Sequence, residues 1–117
     1  MKTVLLVDDE AIIRQALSRN LNKSGYDVTS AADGTAALAC LYEKPYDIIV
    51  TDYLMQGMNG LELMTKAKAL DPTIKVILFS GFIEQNLDEC VHQADCFLSK
   101  PIGLNELLDA MENLLAR

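Results

Sequence analysis

A chain of 117 residues with 50% hydrophobic content is the size of one ordinary domain, and it can bury a core without disulfide or metal staples. Its formal net charge of -7 argues against direct contact with nucleic acid or an anionic membrane, because an acidic surface repels phosphate and releases no condensed counterions. Cys40, Cys90 and Cys96 follow no paired metal-ligand spacing and have apolar neighbours, which reads as small reduced core thiols.

Taken along the chain, short apolar runs rich in β-branched residues alternate with stretches of helical periodicity. That alternation predicts one α/β domain over 1–117, a doubly wound parallel sheet with helices on both faces. The first strand is expected from Thr3 to Val7. Its apolar run is too short for a signal-peptide core and is followed by acids, and no later stretch has the length of a membrane span, so a soluble cytoplasmic protein is expected. Ile13, Ala16, Leu17 and Leu21 mark the first helix, with Gly25 placed to end it. A second strand from Tyr26 to Ala31 leads through the turn Ala32-Asp33-Gly34 to a helix marked by Ala37, Leu38, Leu41 and Tyr42. The third strand is expected from Asp47 to Thr51, and Asn59-Gly60 then turns into a helix carried by Leu63, Met64, Ala67 and Leu70. A fourth strand runs from Ile74 to Phe79. Ile83, Leu87, Cys90 and Val91 suggest a short fourth helix, and a last strand covers Cys96 to Leu98. The fifth helix has the clearest stripe, with Leu104, Leu107, Leu108, Met111, Leu114 and Leu115.

Ligands of open parallel sheets bind beyond the carboxyl ends of the strands, near the point where strand order reverses. After the first strand come Asp8, Asp9 and Glu10; after the third, Asp52; after the fourth, Ser80-Gly81; after the fifth, Ser99-Lys100-Pro101. A flavodoxin-like order 2-1-3-4-5 brings these four ends into one pocket. Asp8, Asp9 and Asp52 repel one another there, so one must hold a proton or a cation must enter, and Lys100 alone cannot neutralise them. A hard divalent ion such as Mg2+, held by one or two carboxylates and open to a phosphate oxygen, meets that need. Asp52 is then placed as a nucleophile toward a phosphoryl group, Ser80 as a hydrogen-bond donor to it and Lys100 as its ion-pair partner. Taken singly, each residue has a plainer reading: Asp8 or Asp9 as helix caps, Asp52 and Ser80-Gly81 as loop formers, Lys100 as a solvated charge.

Together, Leu5-Leu6-Val7-Asp8-Asp9-Glu10, Asp52-Tyr53-Leu54-Met55 through Gly60, Ser80-Gly81 and Lys100-Pro101 resemble the receiver domain of two-component response regulators over essentially the whole chain. The resemblance implies the 2-1-3-4-5 sheet and Asp52 as phosphoacceptor. It implies a Mg2+ site made by Asp8, Asp9, Asp52 and the backbone carbonyl of Leu54. Ser80 becomes the switch hydroxyl, Phe97 the aromatic that follows it, and Lys100 the phosphoryl partner, with a cis bond to Pro101. The implied function is a switch that takes phosphate from a sensor histidine kinase or a phosphotransfer protein. The phosphorylated form then presents a changed surface at the fourth helix, fifth strand and fifth helix, with homodimerisation through that face as one outcome. Ile12 and Gln15, near the start of the first helix, are candidates for partner contact.

Two departures stand out. Gln56 occupies a position where the family usually has proline, which removes a fixed backbone angle from the loop after Asp52. Gln93 occupies a position where glycine is common. Other functions remain to be weighed: an aspartate-based phosphohydrolase, which wants a second acid where this chain has Leu54; a flavin carrier, which Asp8 and Asp9 would repel; and a degenerate receiver serving only for docking, which does not need the full set of chemical residues found here. Leu54 and Phe82 flank the path of a hydrolysing water in the family. Neither can orient one, so a long-lived phosphorylated state is expected.

Overall fold

The computed structural model describes residues 1–81 and 94–116. Five strands, β1 (Thr3–Val7), β2 (Asp27–Ala31), β3 (Ile48–Asp52), β4 (Lys75–Ser80) and β5 (Cys96–Ser99), form one parallel sheet in the order β2-β1-β3-β4-β5. The helices among the described residues are α1 (Ala11–Lys23), α2 (Gly34–Glu43), α3 (Gly60–Leu70) and α4 (Leu104–Leu115), the last being the predicted fifth helix. The predicted fourth helix, with Ile83, Leu87, Cys90 and Val91, lies outside the described residues, as do Phe82 and Gln93.

The three central strands, β1, β3 and β4, are runs buried on both faces, β2 and β5 are the partly exposed edges, and side-chain alternation divides the core in two. Leu5, Val7, Ile49, Val76 and Leu78 pack with Ala37, Leu63, Met64 and Ala67 from α2 and α3. Val4, Leu6, Ile48, Val50, Ile77 and Phe79 pack with Leu21 of α1 and Leu107, Met111 and Leu114 of α4. Burial of these side chains supplies the main stabilising term, about 1.5–3 kcal/mol for each large one.

Local signals set the helix ends. The Asp33 carboxylate accepts from the Ala36 amide at 2.8 Å, so the predicted turn is the N-cap of α2. Asn59 caps α3 in the same way through the Glu62 amide at 2.8 Å. After α1, Gly25 takes φ 98, a left-handed angle that glycine adopts without penalty. Three residues expected to face the core do not: Ala16 of α1 is exposed, and so are two larger ones. Tyr42 and Leu70 are 69% and 47% exposed, because both lie in the last turn of their helices, beyond the part that the sheet covers.

Candidate functional site

The four strand ends converge as the sequence implied. Asp8 follows β1 and is fully buried; Asp52 and Ser80 end β3 and β4 and are also buried; Lys100 follows β5 and is half-buried. The Lys100 ammonium donates to Asp52 Oδ2 at 2.9 Å and lies 3.9 Å from Asp8 Oδ2 and 3.8 Å from Glu10 Oε1. Its Nζ lies over the Phe79 ring, 5.2 Å from the centroid. The Lys100 amide donates to the Ser80 carbonyl at 2.8 Å, which ties the end of β5 to the end of β4, and the Lys100-Pro101 bond is cis.

One Asp8 oxygen, Oδ1, accepts from the Glu10 amide at 2.8 Å, while the other, Oδ2, is buried with no hydrogen-bond partner. Neither Asp8 nor Asp9 caps α1. Glu10 holds the N-cap position and makes no side-chain capping bond. Burial pushes the Asp8 carboxyl above its ordinary range; the Glu10 amide and Lys100 oppose this, and the charges of Asp52 and Glu10 add to it. Burial alone would lower the Lys100 ammonium, but the hydrogen bond and charge of Asp52, with Asp8 and Glu10, outweigh it and raise the group.

Asp8, Asp9 and Glu10 can each place one oxygen within 4.8 Å of the others. This all-oxygen set, together with the orphaned Asp8 Oδ2, fits a hard divalent cation. Beside it opens a cavity of about 420 Å³ lined by Asp9, Glu10, Asp52, Leu54, Gly81 and Lys100.

The loop after Asp52 is built to pass close to it. The Leu54 amide donates to Asp52 Oδ1 at 3.3 Å, and the Gly60 amide donates to the Tyr53 carbonyl at 2.8 Å. A Cβ on Gly60 would run into the Asp52 carbonyl oxygen, so glycine is needed here for close approach rather than for an unusual angle. Gly57, directly after Gln56, takes φ 77 and supplies the loop's bend.

Phe97 is partly buried against the core on the α2 and α3 side, paired in register with Leu78, two residues before Ser80. With a side-chain period of two, Phe97 and Ser80 lie toward the same face of the sheet. A second cavity, apolar and about 490 Å³, adjoins the site and is lined by Ile12, Ile13, Ala16, Leu17, Phe79, Lys100, Pro101 and Ile102. Ile12 is 83% exposed at its rim. Gln15 is exposed on α1 and does not line it.

Two features were not assigned from the sequence. Glu10 joins the acidic cluster, a role for which only its place beside Asp8-Asp9 gave a signal. Arg14 Nη1 donates to the Asp8 carbonyl at 2.7 Å and so braces the β1–α1 turn; an arginine in the first turn of a helix carries no such signal.

The chain is similar in sequence and fold to known proteins. Residues 4–112 match the family model of the response regulator receiver domain. The chain is 35% identical over 117 residues to the response regulator receiver protein CpdR of Brucella abortus, covering 98% of both chains. It is 30% identical over 114 residues to sporulation initiation phosphotransferase F of Bacillus subtilis, covering 96% of this chain and 92% of that protein. Among solved structures, a CheY-like receiver domain protein of Methanospirillum hungatei superposes with a TM-score of 0.94 at 28% identity, covering 99% of this chain and 94% of that one. The response regulator TrrA of Thermotoga maritima, in its complex with the histidine kinase ThkA, superposes with a TM-score of 0.88 at 31% identity, covering 98% and 99%. This chain therefore belongs to the response regulator receiver domain family.

Proposed function

We propose that this chain, as a single receiver domain over 1–117, is a cytoplasmic phosphoacceptor switch that takes a phosphoryl group onto Asp52 from a histidine kinase or phosphotransfer protein. The observation that carries the reading is the 2.9 Å pair between Asp52 and Lys100, set beside a buried Asp8 oxygen with no hydrogen-bond partner. Lys100 holds Asp52 Oδ2, which leaves Oδ1, bound among the described residues by the longer 3.3 Å contact, as the attacking oxygen. It forms the new P–O bond as the P–N bond of the phosphohistidine breaks, and the electron pair stays on the imidazole nitrogen, which takes a proton. Asp8, Asp9 and Asp52, with the carbonyl of Leu54, would hold Mg2+, which supplies positive charge against the repulsion between the carboxylates and the incoming phosphoryl group.

Lys100 then pairs with one phosphoryl oxygen and the Ser80 hydroxyl donates to another. Ser80 and Phe97, toward the same face, couple that shift to the surface made by β5 and α4. The modified surface serves the next partner or a second copy of the chain. The apolar groove beside Lys100, rimmed by Ile12, is the face on which the phosphodonor protein seats its helix. A phosphohydrolase is disfavoured because Leu54 stands where that class needs its second acid.

The test is incubation with Mg2+ and a small acyl phosphate, followed by intact mass measurement of the native chain and Asp52→Asn. One phosphoryl group should add to the native chain and none to the variant. Equal modification of both removes Asp52 from this role.

A further inference from the structure

We infer that Glu10 is a fourth carboxylate of the divalent-cation site, beside Asp8, Asp9 and Asp52, and one that exchanges Lys100 for the cation when the ion enters. The inference rests on the Mg2+ site proposed above and adds a residue to it.

Glu10 occupies the N-cap of α1, where Ser, Thr, Asp or Asn is usual because a short side chain reaches back to the free amides. The glutamate makes no such bond, so helix capping does not account for it. Its backbone is fixed, since its amide donates to Asp8 Oδ1 at 2.8 Å. The side chain therefore starts from a point anchored on the carboxylate whose other oxygen is buried and accepts no hydrogen bond. From there it is 62% exposed, yet Oε1 approaches the Lys100 ammonium to 3.8 Å, and one of its oxygens falls within 4.8 Å of both Asp8 and Asp9.

The ammonium of Lys100 serves Asp52 at 2.9 Å and only approaches Asp8 and Glu10, at 3.9 and 3.8 Å. A cation between Asp8, Asp9 and Glu10 answers the charge that Lys100 leaves uncompensated, and Lys100 is released to act on Asp52 alone. An ordinary acidic residue at a helix N-terminus gains only from the helix dipole, and its loss would leave metal affinity unchanged.

Removing one charge about 5 Å from a divalent ion in near-aqueous surroundings weakens binding by roughly three- to tenfold after salt screening. The experiment is a Mg2+ titration of the metal-stripped full chain, Glu10→Gln, Glu10→Asp and Asp8→Asn, read by tyrosine fluorescence and by the shift in unfolding midpoint. Glu10→Gln should fold normally without metal and bind Mg2+ roughly three- to tenfold more weakly. Glu10→Asp should recover much of that loss. Native affinity in Glu10→Gln, with Asp8→Asn abolishing binding, overturns this inference and leaves the Mg2+ site standing. Equal loss in Glu10→Gln and Glu10→Asp also overturns it, because charge is then not what matters. No binding to the native chain overturns both.

Discussion

Aspartates sit at both ends of the sheet, and the two sets are treated in opposite ways. At the amino ends of the strands, Asp47 Oδ2 accepts from the Thr3 amide at 2.8 Å and from its hydroxyl at 3.0 Å. Asp95 Oδ2 there accepts from the Val76 amide at 2.8 Å and from Lys68 at 3.0 Å. At the carboxyl ends, Asp8 Oδ2 accepts no hydrogen bond and meets only the ammonium of Lys100 at 3.9 Å among the described residues, and that one lysine stands among Asp8, Glu10 and Asp52. The same residue type thus closes the edge of the sheet at one end and leaves acceptor capacity open at the other. Bonded carboxylates there fasten strands, and the unbonded one is available to a ligand.

The largest effect that would break this contrast belongs to the fastening end. Asp95→Ala removes the acceptor for the fully buried Val76 amide and the ion partner of Lys68, which keeps its bond to the Ile74 carbonyl at 3.0 Å. An unsatisfied buried donor costs about 1–3 kcal/mol, so a loss of about 2 kcal/mol in urea unfolding is expected. Phosphorylation of the folded variant, measured well below its unfolding midpoint, should match the native chain. A normal unfolding midpoint, or a phosphorylation defect in the folded variant, would mean that the two ends do not divide the work in this way.

Asp8→Asn should act in the opposite direction. Burial first, and then neighbouring charge, raise the Asp8 carboxyl in the folded state above its unfolded value near 3.8. The folded state therefore binds the proton more tightly, and this group's contribution to stability is complete below 3.8 and is lost as pH rises through the folded value. At neutral pH the metal-free fold bears that cost. Asp8→Asn should unfold later than the native chain by up to about 1 kcal/mol at pH 7. The gap should close in acid, and added Mg2+ should stabilise the native chain while leaving the variant unmoved. A variant less stable than the native chain at pH 7 without metal would show that Asp8 is a structural residue after all.

Much of this was legible in the sequence, for reasons that also mark the limit. Strands buried on both faces leave apolar runs, which placed β1, β3 and β4, and β-branched residues between turn signals placed the edge strands, all five to within one residue at each end. Polar residues that follow such runs must lie at the sheet's edge, so Asp8, Asp52, Ser80 and Lys100 could be collected into one pocket from topology alone. Partner choice is set by distances that no spacing encodes. That Lys100 bonds Asp52 rather than Asp8 depends on how β5 registers on β4, where Ser99 meets Ser80. Arg14 reaches back to the Asp8 carbonyl from six positions along the chain, and Tyr42 turns outward because helical periodicity does not say where a helix outruns the sheet. Phe82, paired with Leu54 in the expectation of a slow hydrolysis, lies outside the described residues.

The smallest predicted effect sharpens the comparison at the open end. Leu54 is 46% exposed and lines the cavity with Asp9, Glu10, Asp52, Gly81 and Lys100, so an apolar side chain stands at the mouth of an otherwise polar site. A water that hydrolyses an acyl phosphate on Asp52 must approach the phosphorus opposite the Asp52 oxygen, and orientation of that water by hydrogen bonding speeds the step. Leucine offers no donor or acceptor. Leu54→Asn offers both, and a positioned polar contact should accelerate decay of the phosphorylated form by about three- to tenfold, a change in barrier of no more than about 1.4 kcal/mol. Because the side chain is exposed, unfolding should move by less than about 0.5 kcal/mol. Tyr42, the 69% exposed aromatic beside the cavity lined by Lys44, Tyr46 and Asp71, supplies the control at the fastening end. Tyr42→Asn makes a similar exchange of apolar for amide surface far from Asp52, and it should leave the decay rate unchanged. Equal acceleration in both variants would trace the effect to general surface polarity, and unchanged or slower decay in Leu54→Asn would mean that Leu54 does not shield the phosphoryl group.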